Sequence, residues 1–229
     1  MIVPTQLSLN FDHRPAYGGE DFLVADSNRD AVMWIDRWPE WPSPALVVYG
    51  PPGCGKTHLA EVFRRHADAT RLDHAALARN TARDPASAGG AWIVEDADDY
   101  LAAEAPEALF HLYNQVREGG GSLFLTGKMP PAQWPVALPD LASRLNAAAA
   151  VAIGPPGDEL IAALLVKLFA DRQLKVGAEV IDYLLKRMER SFAAARTLVS
   201  ALDEAALAER RDITVPLTRK VMETLDTTS

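Results

Sequence analysis

One stretch of the chain has the residue types and the spacing of a phosphate-binding loop. It reads Gly50-Pro51-Pro52-Gly53-Cys54-Gly55-Lys56-Thr57 and fits G-x-x-x-x-G-K-[ST] at every fixed position. Glycines let backbone N–H groups curl around phosphate oxygens, and the N-terminus of a following helix adds positive potential. Lys56 would reach the β- and γ-phosphates, and the Thr57 hydroxyl suits Mg²⁺. The motif therefore predicts a site for ADP or ATP with Mg²⁺.

Three side chains in or near the loop carry weaker signals. Cys54 occupies a variable position of the motif, which favours a bystander over a nucleophile. His58 follows the motif and belongs to the predicted nucleotide-binding set, although it and Glu61 have the character of solvated helix residues. The alternative to a phosphate site is a Gly/Pro turn that precedes Lys-Thr by chance. The strand predicted before the loop and the helix predicted after it disfavour that alternative.

An acidic pair could supply the second half of the site. Glu95 and Asp96 follow the apolar run Ala91–Val94, and α/β sheets place ligands at the carboxyl ends of their strands. One carboxylate would hold Mg²⁺ together with Thr57, a role we give first to Glu95, while the other would orient water. The sequence leaves open which of the two does which. An acidic surface loop is the alternative, because two more aspartates follow.

Composition limits the classes of function. The chain has 229 residues, a net charge of −8 and a pI near 5.1, which argues against sequence-specific DNA binding by the chain alone. No apolar run approaches the roughly 20 residues that span a bilayer, and the N-terminus lacks the pattern of a secretory signal. The single Cys54 permits no internal disulfide. We therefore expect a cytoplasmic protein without membrane association.

Short apolar runs alternate with helical stretches over the first two thirds of the chain, a pattern typical of a mostly parallel sheet covered on both faces. The predicted strands are Ala45–Tyr49, Ala69–Leu72, Ala91–Val94, Leu123–Thr126 and Ala149–Ile153. The predicted helices are Asn28–Trp38, Lys56–His66, Pro106–Glu118, Asp158–Arg172, Ala178–Met188 and Phe192–Arg210. In the last part only Ile213–Val215 suggests a strand. These patterns predict a tail over residues 1–15, an α/β nucleotide-binding base over 16–155 and a helical lid over 156–229.

The phosphate loop, the strand that ends in acid and the helical lid together resemble an AAA+ ATPase of the DnaA branch. The segment Glu20–Asn28 is similar to that branch's adenine-binding entry, with Ala25 where the family usually has Gly. Pro139–Leu145 and Leu184–Arg190 are similar to the Hda family of DnaA-related regulators. The resemblance extends from Gln6 to about Leu225. It implies a five-stranded AAA+ P-loop base with a C-terminal lid, and adenine contacts from Phe22, Leu23 and Val24.

The resemblance also implies roles for two arginines. Arg144 matches the family's arginine finger, which points at the nucleotide of a partner chain and can raise the hydrolysis rate by orders of magnitude. Arg196 matches the lid arginine that contacts the chain's own nucleotide. A surface charge on a helix is the alternative for each. Lys128 departs from the family, which often has a polar or acidic residue there, and this departure disfavours hydrolysis by the chain itself.

A regulator that acts on DnaA is the function implied by the resemblance. The chain ends without the helix-turn-helix domain expected of an initiator. Arg144 would then stimulate hydrolysis of the ATP bound to DnaA. Two alternatives stay open: an autonomous AAA+ ATPase that loads or remodels a helicase, and an adaptor in which the nucleotide is structural. AAA+ bases often stack on one another, so a homodimer is also open.

The N-terminal stretch Gln6–Phe11 resembles the short peptides that bind the sliding clamp of DNA polymerase III. Gln6, Leu7, Leu9 and Phe11 match the fixed positions of Q-L-x-L-x-F. A few apolar anchors on a flexible segment can enter a preformed groove on another protein. The alternative is an edge strand or arm that packs on the chain's own base. We expect the segment to tether the chain to the clamp.

Overall fold

The computed structural model describes residues 13–14, 22–80, 89–103 and 106–228. The chain divides into two compact units, of which the first is His13–Gly154 and the second begins at Pro155. We describe the two units in turn.

A parallel sheet forms the centre of the first unit. Two short antiparallel strands, β1 (His13–Arg14) and β2 (Phe22–Leu23), precede it. Its strands are β3 (Ala45–Tyr49), β4 (Thr70–Leu72), β5 (Ala91–Val94), β6 (Ser122–Gly127) and β7 (Ala149–Ala152). They lie in the order β4-β5-β6-β3-β7, and every pair is parallel. The five strands predicted for the sheet form with ends shifted by one residue at most. The acidic pair follows β5, which is separated from β3 by β6.

Helices cover both faces of the sheet because adjacent residues of a strand point to opposite sides. In β3, Val47 packs in one core with the helix that carries Leu112, whereas Leu46 and Val48 pack in the other core with Phe63. The Phe63 ring stacks on Phe124 with centroids 5.0 Å apart. The helices of this unit are α1 (Arg29–Asp36), α2 (Lys56–His66), α3 (His74–Asn80), α4 (Ala97–Ala103), α5 (Glu107–Glu118) and α6 (Pro139–Ala147).

Three of these helices are missing from the sequence-based prediction. α3 and α4 span only seven residues each, too short for a periodic pattern to stand out. α6 begins at Pro139, which suits the first turn of a helix. Its apolar stripe is narrow, since Leu141 and Leu145 are its two buried members. The apolar pattern of the sequence therefore failed to predict helices that are short or that bury few residues.

Four helices make up the second unit around a core of its own. They are α7 (Asp158–Asp171), α8 (Ala178–Leu185), α9 (Phe192–Glu209) and α10 (Val215–Thr228). Ser191 caps α9, because its Oγ accepts a hydrogen bond of 3.0 Å from the Ala194 N–H. The strand suggested at Ile213–Val215 is wrong: Ile213 enters the helical core and Val215 begins α10. A short β-branched run can be apolar for core packing without any sheet partner.

Leu202 and Leu207 lie on the same helix of the second unit and together test which residues form its core. Leu202 is fully buried and Leu207 is 79% exposed on α9. We expect Leu202→Ala to lower the free energy of unfolding by about 2–5 kcal/mol, since it leaves a cavity. Leu207→Ala should change it by no more than about 0.5 kcal/mol. Urea unfolding followed by circular dichroism measures both, and equal losses would contradict the assigned core.

Candidate functional site

The loop after β3 takes a backbone shape that its glycines make possible. Gly53 has φ 72° and Gly55 has φ 107°, both in the left-handed region that residues with a Cβ rarely adopt. Gly55 directly precedes the first residue of α2. The first N–H groups of a helix have no intrahelical partner, and that of Thr57 finds none elsewhere in the described part of the chain. The start of α2 therefore presents an unsatisfied donor at the positive end of a helix, which suits a phosphate group.

Gly50 fixes the loop against the two strands beside β3. Its N–H donates to the Gly127 carbonyl oxygen at 3.1 Å. A Cβ added to Gly50 would lie 2.3 Å from the Ile153 carbonyl oxygen, so a larger residue would displace backbone. The next residue, Gly154, donates its N–H to the Ser27 carbonyl oxygen at 3.0 Å. The start of the loop is thus connected through residues 153 and 154 to the segment predicted to contact adenine.

Lys56 is held inside the loop by backbone carbonyls. Its ammonium donates to the carbonyl oxygens of Gly50 at 2.7 Å and Pro51 at 3.1 Å, and the residue is 8% exposed. A buried ammonium requires such partners, because leaving water is costly for a charge. Its three donors can exchange these carbonyls for phosphate oxygens. Lys56 therefore lies where the motif requires a phosphate ligand.

The other members of the motif lie in different environments. Thr57 is exposed at the first turn of α2, and His58 beside it is half-buried. Cys54 is buried beneath the loop, and this burial raises the pKa of its thiol above the ordinary value, against the opposing charge of Lys56. A thiol that stays protonated is a poor nucleophile, in keeping with the bystander role expected for Cys54. The exposure of the Thr57 hydroxyl leaves it accessible to a metal ion.

Glu95 and Asp96 lie at the carboxyl end of β5 but differ in their surroundings. Asp96 is exposed, has a left-handed φ of 49°, and donates its N–H to Thr126 Oγ1 on β6 at 2.9 Å. Glu95 is half-buried, and its Oε1 lies 3.0 Å from Arg71 Nε. The backbone turns immediately after Val94, so the two carboxylates are not alternating residues of a longer strand. Both lie at the carboxyl edge of the sheet, where α/β folds commonly place ligands.

Arg71 lies on the edge strand β4 and belongs to no motif recognisable from the sequence. It lies opposite Ile93 in the parallel pair, and its guanidinium reaches both Glu95 and, at 3.5 Å, Glu61 Oε2 on α2. Hydrogen bonds from Arg64 and Arg65 lower the pKa of Glu61 to about 2. Glu61 is therefore a node of ion pairs rather than a solvated residue. No single-sequence signal distinguishes an arginine that will meet an acidic residue 24 positions away.

Lys128 follows β6 and is bound to the acidic start of α4. Its ammonium hydrogen-bonds both oxygens of Asp99, at 2.7 and 2.9 Å, and these bonds raise the pKa of Lys128. Its N–H donates to Asp98 Oδ2 at 2.7 Å. Oxygen atoms of Asp96, Asp98 and Asp99 lie within 4.8 Å of one another, and the lysine ammonium already compensates part of this charge. Lys128 thus interacts with α4 in the place where the family often has a polar or acidic residue.

Arg144 lies on α6 and contacts one face of α5. Its guanidinium carbon is 4.9 Å from the centre of the Phe110 ring and 5.7 Å from that of Tyr113, and Nη1 donates to Asn114 Oδ1. Burial raises the pKa of Tyr113, and the charge of Arg144 opposes that rise. The side chain is half-buried, not extended into solvent. Arg144 is therefore an ordered cation at the surface of the first unit.

The remaining predicted residues are placed as follows. Phe22 and Leu23 form β2, and Val24 packs against the core that contains Phe63. Asn28 is the N-cap residue of α1, but its Oδ1 accepts from the Ala25 N–H at 2.9 Å and not from the helix. Arg196 lies exposed on α9 of the second unit. The predicted clamp-binding residues, Gln6, Leu7, Leu9 and Phe11, lie outside the described residues.

Comparisons with known proteins found similarity to DnaA and to the related Hda family. Residues 158–222 match the family model "Hda, lid domain". Domain III of the Thermotoga maritima replication initiation protein DnaA superposes with a TM-score of 0.75 and 15% identity, covering 92% of this chain and 97% of that one. A replication initiator DnaA bound to AMPPCP and single-stranded DNA gives a TM-score of 0.69 and 19% identity, covering 87% and 69%.

A further similar structure is a mutant of RuvB from Thermotoga maritima, with a TM-score of 0.66, 14% identity, and coverage of 87% of this chain and 68% of that one. These likenesses confirm the predicted α/β AAA+ fold with helices after the sheet. Among the described residues, no helix is long and apolar enough to cross a membrane.

Proposed function

We propose that the chain is a DnaA-related AAA+ protein of the Hda-like kind and a negative regulator of chromosomal replication initiation, because residues 158–222 match the lid domain of the Hda family and the fold is similar to that of DnaA domain III. In this proposal it docks on ATP-bound DnaA and stimulates the hydrolysis of that ATP to ADP and phosphate. DnaA is then left in its ADP form, and a second round of initiation is prevented. The observation that carries the proposal is Arg144, an ordered cation with no carboxylate of the described chain at salt-bridge distance.

The arginine would act on charge that develops during phosphoryl transfer. Water attacks the γ-phosphorus, the bond to the β–γ bridging oxygen breaks, and negative charge grows on that oxygen and on the transferring group. A guanidinium aimed at these oxygens stabilises the transition state more than the ground state. DnaA would supply the nucleotide pocket and the attacking water, and this chain would supply Arg144.

The chain's own nucleotide would have a different role. The phosphate loop fits ADP or ATP: the Lys56 ammonium lies inside the loop on the Gly50 and Pro51 carbonyl oxygens, and the Gly50 N–H bonds Gly127 of β6. Thr57 and Glu95 would hold Mg²⁺, once Glu95 exchanges Arg71 for the metal. Phe22, Leu23, Val24, His58 and Arg196 complete the proposed nucleotide set. We propose that bound nucleotide, chiefly ADP, acts as a conformational ligand.

An autonomous ATPase is the second candidate, because Lys56, Thr57, Glu95 and Asp96 are all present. Two contacts favour the regulator. Arg71 pairs with Glu95, and Lys128 binds Asp99 at the end of the strand next to the loop. The first contact places positive charge beside a carboxylate that a cation-assisted hydrolysis would use, and the second holds a lysine where the family often has a polar or acidic residue.

Lys56→Ala tests the nucleotide site. We expect it to weaken ADP binding at least about a hundredfold, because the variant loses a cation that contacts the β-phosphate. Isothermal titration with ADP and Mg²⁺ measures the affinity, and Lys167→Ala, on α7, is the matched control. Unchanged ADP affinity in Lys56→Ala would remove the phosphate assignment.

Arg144→Ala tests the stimulation of DnaA. With clamp-loaded DNA and DnaA–ATP, we expect the variant to lose at least about a hundredfold of the stimulated hydrolysis rate. Arg144→Lys should recover only part of it, since an ammonium lacks the planar fork of donors. Arg117→Ala, which removes an exposed positive charge from α5, is the control. Full stimulation by Arg144→Ala would disprove the finger.

The tether is tested at Gln6–Phe11. We expect Leu9→Ala and Phe11→Ala to abolish binding to the sliding clamp, and with it clamp-dependent stimulation, because short motifs depend on a few apolar anchors. Ser8→Ala, between two anchors, is the control. Surface plasmon resonance on immobilised clamp gives the affinities. If these variants lose ADP binding and fold stability instead, the segment is an arm of the chain's own base.

A further inference from the structure

The side chains that hold Arg144 come from a single face of α5. Phe110, Tyr113 and Asn114 are spaced i, i+3 and i+4, so they form one surface patch on the helix. Tyr113 is buried, with 4% of its surface exposed, while Phe110 and Asn114 are half-buried. Arg144 reaches this patch from α6, 30 residues along the chain from Asn114. We call Phe110, Tyr113 and Asn114 the α5 cradle.

Every group of the α5 cradle that contacts the guanidinium is neutral. Two contacts are aromatic faces, which attract a cation through the ring quadrupole. The third is an amide oxygen, which accepts one N–H of the five that a guanidinium carries. Other arginines of the same unit are bound by carboxylates, such as Arg71 by Glu95 at 3.0 Å and Arg64 by Glu61 at 2.8 Å.

A neutral cradle has a consequence that a salt bridge lacks. It orders a long side chain and leaves its positive charge uncompensated, so the charge remains available to an anion from outside. A carboxylate partner would satisfy the same donors and compete with a phosphate. Ordering the arginine during folding also removes an entropic cost from the later encounter.

We propose that Asn114 and Phe110 are positioning residues for Arg144, and that their neutrality is needed for Arg144 to engage the anionic phosphates of a partner's nucleotide. This inference rests on the proposed arginine-finger function and extends it to α5. The phosphate is contacted by Arg144 alone, and the α5 cradle acts through it.

Two isosteric changes at Asn114 separate positioning from simple packing. Asn114→Leu keeps the branched shape of the side chain and removes the acceptor. Asn114→Asp keeps the acceptor and adds a charge that pairs with the guanidinium. Asn146→Leu, on an exposed position of α6, is the control. Each variant is assayed for kcat and half-saturation in stimulated DnaA–ATP hydrolysis and for its thermal midpoint, with Arg144→Ala in parallel.

We expect both Asn114 variants to lower kcat about tenfold, equivalent to about 1.4 kcal/mol. We expect half-saturation to stay within about twofold, because the change affects the transition state more than docking. Thermal midpoints should stay within about 2 °C of wild type, and Asn146→Leu should match wild type in every readout. Phe110→Leu should reproduce the fall in kcat, since it removes the aromatic face.

Three outcomes would overturn the inference. If Asn114→Asp stimulates hydrolysis as well as wild type, an Arg144 paired with a carboxylate is still active and the neutrality of the α5 cradle is not needed. If Asn114→Leu keeps full kcat while Arg144→Ala loses it, the finger stands and the α5 cradle does not position it. If both lose kcat only in step with their thermal midpoints, Asn114 is structural.

A spectroscopic readout keeps the α5 cradle testable even if the chain does not stimulate DnaA. The arginine side-chain Nε–H resonance of Arg144, assigned by its loss in Arg144→Lys, should be shifted by the ring current of Phe110. We expect Phe110→Leu to reduce that shift to the smaller contribution of Tyr113 and Asn146→Leu to retain it in full. A resonance at the position of solvent-exposed arginines in wild type would overturn the α5 cradle independently of any hydrolysis assay.

Discussion

The backbone of Gly50 is the contact on which the candidate site depends. Its N–H bonds β6, its carbonyl oxygen accepts from Lys56, and its Cα faces the Ile153 carbonyl with no room for a Cβ. Phosphate loops need their strand and helix at a fixed separation, and here three strands of the sheet set it. The same contact extends through Gly154 to Ser27 and the adenine-entry segment. One glycine thus relates the phosphate end and the base end of the proposed nucleotide.

Charge compensation separates two kinds of arginine in the base. Arg71 bridges carboxylates of α2 and β5 and is a structural and electrostatic tie within the site. Arg144 sits on aromatic and amide groups and keeps its charge. A protein that hydrolysed its own nucleotide would gain from a free Glu95 carboxylate. In this chain Glu95 is paired with Arg71 and Arg144 is an ordered cation at the surface, as a regulator acting on another nucleotide would require.

The sequence predicted those parts of the molecule that depend on local chemistry. The loop from Gly50 to Thr57 is defined by its own glycines and lysine, and α2 was predicted at both ends because it starts at the loop. The strands were readable because parallel strands buried on both faces are continuous apolar runs.

What the sequence could not give depends on contacts between distant segments. The pairing of Arg71 with Glu95 and of Arg144 with Asn114 needs the register of strands and helices that no local pattern encodes. The short helix α4 begins in an acidic stretch that reads as a loop until Lys128 is seen beside it. The suggested strand at Ile213–Val215 failed because its apolar residue serves a helical core.

Because Cys54 is buried, the reactivity of its thiol reports on the opening of the phosphate loop. It is the single cysteine of the chain, is 3% exposed, and packs in the core that contains Phe63, so the protein must open locally at the loop before a reagent reaches its sulfur. The rate of thiol modification by a small reagent therefore measures how often the loop opens. A nucleotide that holds the loop closed will slow that rate in proportion to its occupancy. Modification of the Cys54 sulfur can therefore be used to follow nucleotide binding in the unmutated protein.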